Sequence, residues 1–363
     1  MTLSIRTAVI LALTSVSLTP AIADDDHNQA GSILAQLPTS PERIVSTVPL
    51  NGDVNPYGVA FVPEGFRGGG PLEPGDILVS NFNNSQNLQG TGTTIVKINP
   101  GGRVSVFFQG AQGLGLTTAL GVLRAGFVLV GNVPTTDGTS ATVQQGSLLV
   151  IDRHGHLVKT LASSSSLDGP WDLAVNDQGD TAQIFVSNVL SGTVTRLDVF
   201  INDRTFNVSG VTQIAHGYTH RTDPAALVIG PTGLAFDRAH DLLYVASTGD
   251  NGIFAIANAV GTSTDAGEGS LVYQDATHLH GPLGLALAPN GHLITANGDA
   301  VNPGGTQNAL VEFTANGKFV AQFQVDPGAS GGAFGLAFSS DDDEIRFAAV
   351  DDVQNTLDIW NLH

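Results

Sequence analysis

One short apolar pattern recurs six times along this chain, and the recurrence governs what the chain can fold into. Five copies carry a glycine: Pro56-Tyr57-Gly58-Val59-Ala60-Phe61, Ala119-Leu120-Gly121-Val122, Pro231-Thr232-Gly233-Leu234-Ala235-Phe236, Pro282-Leu283-Gly284-Leu285-Ala286-Leu287 and Ala333-Phe334-Gly335-Leu336-Ala337-Phe338. The sixth, Pro170-Trp171-Asp172-Leu173-Ala174-Val175, has aspartate in the glycine's place. Counted from Gly58, the copies follow one another at intervals of 63, 51, 61, 51 and 51 residues. Each is followed by a turn and a second β-rich run, at 77–80, 127–130, 184–187, 242–247, 293–296 and 345–350. A third run and usually a fourth come next, joined by turns such as Asn99-Pro100-Gly101-Gly102 and Ala315-Asn316-Gly317-Lys318. Four short antiparallel strands per unit of this length is the pattern of a β-propeller blade.

The last unit is short by one strand. Only 28 residues follow Gly335, enough for three strands. The run 43–50 precedes the first unit and belongs to no other, so it is expected to complete the last blade and close the ring, which leaves no exposed innermost edge. The expectation is an all-β, six-bladed propeller spanning 43–363 as one domain.

The 363 residues carry 14 Lys and Arg against 33 Asp and Glu, a formal charge of −19. Such a chain lacks the basic footprint of a nucleic-acid binder, and anionic membrane surfaces would repel it. At the N-terminus, Arg6, an apolar run over 8–18 and the small-x-small sequence Ala21-Ile22-Ala23 read as a cleavable secretory signal over 1–23. No later segment holds the ~18 uninterrupted apolar residues of a membrane span. Zero cysteines agree with a secreted or periplasmic destination, because no thiol is left to mispair. Residues 24–42, opening on Asp24-Asp25-Asp26, are expected to be a flexible leader.

The Pro-x-Gly-[Val/Leu]-Ala strand, followed by an apolar strand ending in Asn or Asp, resembles the NHL-repeat and SMP-30/gluconolactonase-like six-bladed propellers over roughly residues 43–363. That resemblance implies the propeller fold; such propellers include metal-dependent lactonases, lyases and plain binding or scaffolding proteins. The lactonases open their first blade with a metal-binding Glu before Gly-Pro, where this chain reads Val54-Asn55-Pro56. They also place a metal-binding Asn directly before an inner-strand Gly. The matching residues here are Tyr57, Leu120, Thr232, Leu283 and Phe334.

Propeller geometry sorts candidate residues by face. The innermost strand starts, and the second strand ends, at one mouth of the central channel, termed the top. Second strands end in Asn81, Asn132, Asn188, Asn297 and Asp351, with Thr248 and Asp250 in the fourth blade. Two readings are open. Asn at a strand end caps the following turn, or the five form a ring of oxygen ligands that would take Ca²⁺ or another divalent cation. Asp172 either bonds a neighbouring blade's backbone or is a desolvated acid or ligand at the channel. His216, His220, His278 and His280 fall in the top loops leading into blades four and five, where imidazoles could ligate a soft metal. His154, His156, His240 and His292 fall in bottom turns and are expected to be solvated.

Three top loops, 81–93, 132–146 and 297–308, are long, polar and nearly uncharged, with Asn83, Gln86, Gln89, Asp137, Gln144, Asn302 and Gln307 among their residues. Amides and hydroxyls of this kind suit a polar small molecule, a glycan or a protein partner. No nucleophile elbow, phosphate-binding loop or dinucleotide fingerprint is present. The expected function is therefore a secreted or periplasmic binding or scaffold propeller working through its top face. The alternative is a metal-dependent, lactonase-like hydrolase or lyase at the channel mouth.

Overall fold

The computed structural model describes residues 31–202, 205–298, 301, 309–326, 332–339 and 345–362. The expected signal segment, residues 341–344 and most of the loop 297–308, with Asn302 and Gln307, lie outside them. The repeat resolves into blades of four antiparallel strands. Blade one is β2 (Val54–Phe61), β3 (Ile77–Asn83), β4 (Thr94–Ile98) and β5 (Val104–Gln109). Blade two is β6 (Leu116–Leu123), β7 (Phe127–Asn132), β8 (Ser147–Asp152) and β9 (Leu157–Leu161). Blade three is β10 (Pro170–Asp177), β11 (Thr181–Asn188), β12 (Thr193–Ile201) and β13 (Phe206–His216). A two-stranded hairpin, β14 (Arg221–Asp223) with β15 (Leu227–Ile229), precedes blade four. That blade is β16 (Pro231–Asp237), β17 (Leu242–Ser247), β18 (Gly252–Ala257) and β19 (Ser270–Tyr273). Blade five is β20 (Pro282–Leu287), β21 (Leu293–Asn297), β22 (Ala309–Phe313) and β23 (Phe319–Gln324). Blade six is β24 (Ala333–Phe338), β25 (Arg346–Asp351), β26 (Thr356–Asn361) and, from the other end of the chain, β1 (Arg43–Ser46).

The ring closes as the strand count requires. β1 lies antiparallel to β26, pairing Arg43 with Ile359 and Ser46 with Thr356. The innermost strands β2, β6, β10, β16, β20 and β24 surround the axis, and the core is divided into apolar layers between successive blades. The repeated glycine is explained by that packing. A Cβ on Gly335 would overlap the Tyr57 carbonyl oxygen, one on Gly284 the Phe334 oxygen, and one on Gly233 the Leu283 oxygen. Each glycine lets the next blade's backbone approach to contact.

Blade two corrects the sequence alignment. Leu120 pairs with Val130, at the level where Val59 pairs with Val79 and Leu173 with Val186. Leu120 thus occupies the place of Val59, and Gly121 that of Ala60, two residues beyond the repeated glycine's position. An extra residue is absorbed in the irregularity between Leu116 and Leu120. A second correction concerns the leader. Residues 32–38 are docked on the propeller, with a 3-10 turn at Leu34–Gln36 and with Leu34 and Leu37 buried against blades five and six.

Candidate functional site

At the top mouth, each of the six innermost strands has a register shift near its start. Bulges of this kind re-aim a side chain. In blades one, three and six the re-aimed residues are aromatic. Tyr57 is sandwiched between Phe82 and Phe334, with ring centroids 4.5 and 3.9 Å away and planes within 12°. Trp171 packs edge-on against Phe82 at 5.5 Å. Val133, Val189 and Leu283 join this cluster, and Leu227 and Val228 of the β14–β15 hairpin belong to it as well. The mouth is closed by an apolar plug.

The polar residues near the ends of the second strands are engaged locally. They pin loops. Asn81 Nδ2 donates to the Thr47 carbonyl at 3.0 Å. Asn132 Oδ1 accepts from Ser147 Oγ at 2.7 Å. Asn188 Oδ1 accepts from the Asp168 N–H while its Nδ2 reaches the Ser166 carbonyl. Asn297 bridges the His280 N–H and the His278 carbonyl at 2.8 and 2.7 Å. Asp351 accepts the N–H groups of Val353 and Gln354, both at 3.0 Å. Asp250 binds Thr219 and Ser247 instead. The arrangement is strand-end and loop chemistry, and it engages most of the polar atoms that a ligand ring would need, Asn81 Oδ1 being buried without a partner.

The histidines stay apart too. His216 Nδ1 lies 2.7 Å from Asp265, His220 Nδ1 2.9 Å from the Tyr218 carbonyl, and His280 bonds back to Thr277. His278 is held by Asp275 and stacked on Phe319 with centroids 3.8 Å apart. The segment between β19 and β20 is not an extended strand, so His278 and His280 do not present both rings to one side. Burial pushes the Asp275 carboxyl up, but the bonds from His278, Thr277 and Tyr273 outweigh it and hold it at about 2. Among the described residues no three His, Asp or Glu side chains are arranged to hold a metal. Of the positions matched to the lactonases' metal-binding Asn, Tyr57, Leu283 and Phe334 lie in the plug, and Thr232 bonds the Pro282 carbonyl. The donor set does not fit that metal.

Asp172 is the exception to this pattern at the top. It is buried between blades three and four, its Oδ1 accepting from the Leu173 N–H at 2.7 Å and its Oδ2 from the Leu234 N–H at 3.2 Å. Both sequence readings meet in it: the carboxylate bonds the next blade's backbone, and burial raises its pKa to about 7 despite those two bonds. It lines a cavity of about 60 Å³ on the propeller axis. His292, expected to be solvated, is buried and pairs through Nδ1 with Glu312 at 2.7 Å. Glu312 also accepts from Ser32 Oγ and from the N–H groups of Ile33 and Leu34. Nothing in the spacing of the sequence marks this anchor.

The top rim is built from loops that bond one another. Thr135 N–H donates to the Gly90 carbonyl at 3.0 Å, and Thr135 Oγ1 to the Gln89 carbonyl at 2.6 Å. Gln86 and Gln144 are exposed on this rim, whereas Asn83 is buried. Asp137 is taken up by Thr139 and Thr142, whose bonds lower its pKa. β14 touches the 3-10 turn Ser140–Thr142, so the hairpin meets the blade-two loop.

No protein-family model matches the chain, and no curated protein matches it. Solved structures do match in fold. A gluconolactonase from Xanthomonas campestris superposes with a TM-score of 0.54 at 15% identity, over 89% of this chain and 91% of that one. A putative gluconolactonase gives 0.55 at 14% identity, over 92% and 96%. A putative oxidoreductase (glucose dehydrogenase) from Thermus thermophilus gives 0.50 at 15% identity, over 87% and 99%. In fold, this chain is similar to the gluconolactonase-like six-bladed propellers.

Proposed function

We propose that this protein is an exported, non-catalytic propeller that binds a polar ligand or protein partner across its top face. The observation that carries the reading is the closed mouth. Tyr57, Phe82, Trp171 and Phe334 occupy the place where a propeller hydrolase would hold its metal and substrate. The void beneath them, about 60 Å³, is far below the roughly 300 Å³ at which small-molecule sites begin. What remains available is the rim. Its hydrogen-bonded loops are preorganised, which limits the entropy lost on binding, and its exposed Gln86 and Gln144 offer uncharged donors and acceptors. The secretory pattern in residues 1–23 supports export.

Hydrolysis is the second reading, and the fold likeness to gluconolactonases favours it. One experiment separates the two. Purified protein is offered a panel of lactones and esters with added Ca²⁺, Zn²⁺ or Mn²⁺, before and after chelation. The binding reading expects no turnover above background, and chelator-sensitive turnover would overturn it. On a glycan and polar-metabolite array, wild type should give binding that Gln86→Ala with Gln144→Ala removes. Binding unaffected by that double change would place the partner elsewhere.

A further inference from the structure

The axial cavity contains an arrangement that top-face binding does not use. Its lining residues are mostly aliphatic, Val59, Leu120, Leu285 and Leu336 among them, but the atoms turned to the cavity are mostly polar. Two of its lining residues have polar side chains, Asp172 from β10 and Thr118 from β6. Both residues are more than nine-tenths buried, at 8% and 7% exposure. Thr118 Oγ1 is fully buried and has no hydrogen-bond partner, an omission that ordinarily costs about 1–3 kcal/mol. No Lys, Arg or His is among the lining residues, so the carboxylate has N–H donors but no counter-charge there. Backbone oxygens are also at hand. Gly58 and Asp172 direct their N–H groups to Ser80 Oγ and Ser187 Oγ of their second strands. The residue after each therefore turns its N–H and C=O to the axis, as Leu173 does in bonding Asp172.

We propose that this cavity binds one hard monovalent cation, with Na⁺ as the working probe, held by the Asp172 carboxylate, the Thr118 hydroxyl and axis-facing carbonyls of the innermost strands. The charge fixes the valence. One carboxylate neutralises one positive charge, whereas a divalent ion would leave a net charge buried among leucines. The donor set is all oxygen, which selects a hard ion. The volume, about 60 Å³, exceeds the roughly 10–15 Å³ that one water needs on the same measure and admits a small ion with part of its hydration. The ion would tie blades two, three and four together at the axis. The cavity lies apart from the plug, where Tyr57, Leu283 and Phe334 stand at three of the five positions matched to the lactonases' metal-binding Asn.

The test melts the full mature chain at about pH 8 and constant ionic strength, in Na⁺ or in N-methylglucamine, which is too large for the cavity. Wild type should gain roughly 2 °C in Tm per tenfold rise in Na⁺ above its Kd. Asp172→Asn should abolish that dependence, and the near-isosteric Thr118→Val should weaken it. The ²³Na NMR line should broaden with wild type and not with Asp172→Asn. If Asp172→Asn does not fold, Thr118→Val and the wild-type ²³Na line carry the test. Equal melting in the two cations, an unchanged Na⁺ response in either variant, or a larger Asp172-dependent rise with Ca²⁺ would each overturn the proposal.

Discussion

Replacing Glu312 by glutamine should release residues 32–38 while the propeller stays folded. Seven residues are ordered there, at ~1–2 kcal/mol of backbone entropy each, a cost of roughly 7–14 kcal/mol. Burial of Leu34 and Leu37 returns about 3–6 kcal/mol. Three bonds to a charged acceptor, from Ser32, Ile33 and Leu34, add roughly 5–9 kcal/mol. The two sides nearly cancel, so docking depends on the carboxylate. Glutamine turns one acceptor oxygen into a donor facing these N–H and O–H groups. A loss of only ~3 kcal/mol shifts docked against undocked by more than about a hundredfold. The assay is hydrogen exchange of the Leu34 amide, read beside limited proteolysis of 31–42. Protection should fall in Glu312→Gln with a drop of only a few degrees in global Tm. The same release should follow acidification. Burial raises the Glu312 pKa, yet the bonds from Ser32, Leu34, His292 and Ile33 outweigh it and leave it below the usual 4.5. A depressed folded pKa means its contribution is present above about pH 4.5 and lost as pH falls through the folded value. A Leu34 amide equally protected in wild type and Glu312→Gln would refute the reasoning.

Other expected outcomes follow from the same contacts. Gly335→Ala should cost ~3 kcal/mol or more in urea unfolding, because its Cβ would overlap the Tyr57 carbonyl oxygen; a neutral result would mean the blade six–one seam is looser than described. Phe334→Ala removes one side of the Tyr57 sandwich and should cost ~3–5 kcal/mol by denaturant midpoint. Asp358→Asn should stabilise at about pH 8 and not at about pH 3.5. Burial, with Asp351 and Asp326 nearby, raises Asp358 to about 6, so its favourable protonated form is lost as pH rises through that value. The gain at high pH is at most about 3 kcal/mol, and melts that show no pH-dependent difference would count against it.

The architecture was legible in the sequence because two strong regularities carry it. Strand periodicity gives the blades, and the repeated glycine records a contact between neighbouring blades that no larger side chain allows. Closure by β1 followed from counting strands. The alignment slipped only in blade two, where Thr117-Thr118 lies in a strand one residue longer between the same anchors, and no local pattern shows which residue the bulge absorbs. The strap was missed for a different reason. Leu34 and Leu37 are visible as leucines, but their partner Glu312 is 278 residues from Leu34, and a lone buried carboxylate has no sequence period.

The candidate site shows where strand logic stops. Asn132, Asn188, Asn297 and Asp351 do end their strands, and Asn81 stands at the same register two residues before the end of β3, so the symmetry argument placed their backbones correctly. A residue at a strand end no longer inherits its side-chain direction from the pleat. The incoming loop decides it, and those loops differ from blade to blade. Tyr57, Trp171 and Phe334 obey the opposite rule. The bulge near the start of each innermost strand recurs, so equivalent positions turn into the mouth together, and a ring of large residues there becomes a plug. Asp172 could be singled out because it broke a steric requirement rather than a polar pattern. Its carboxylate now fills the gap that a glycine would have let the neighbouring backbone close. The readable positions in such a repeat are therefore those that contradict the packing rule, and the strand-end amides, which contradict nothing, carry no comparable information about a ligand.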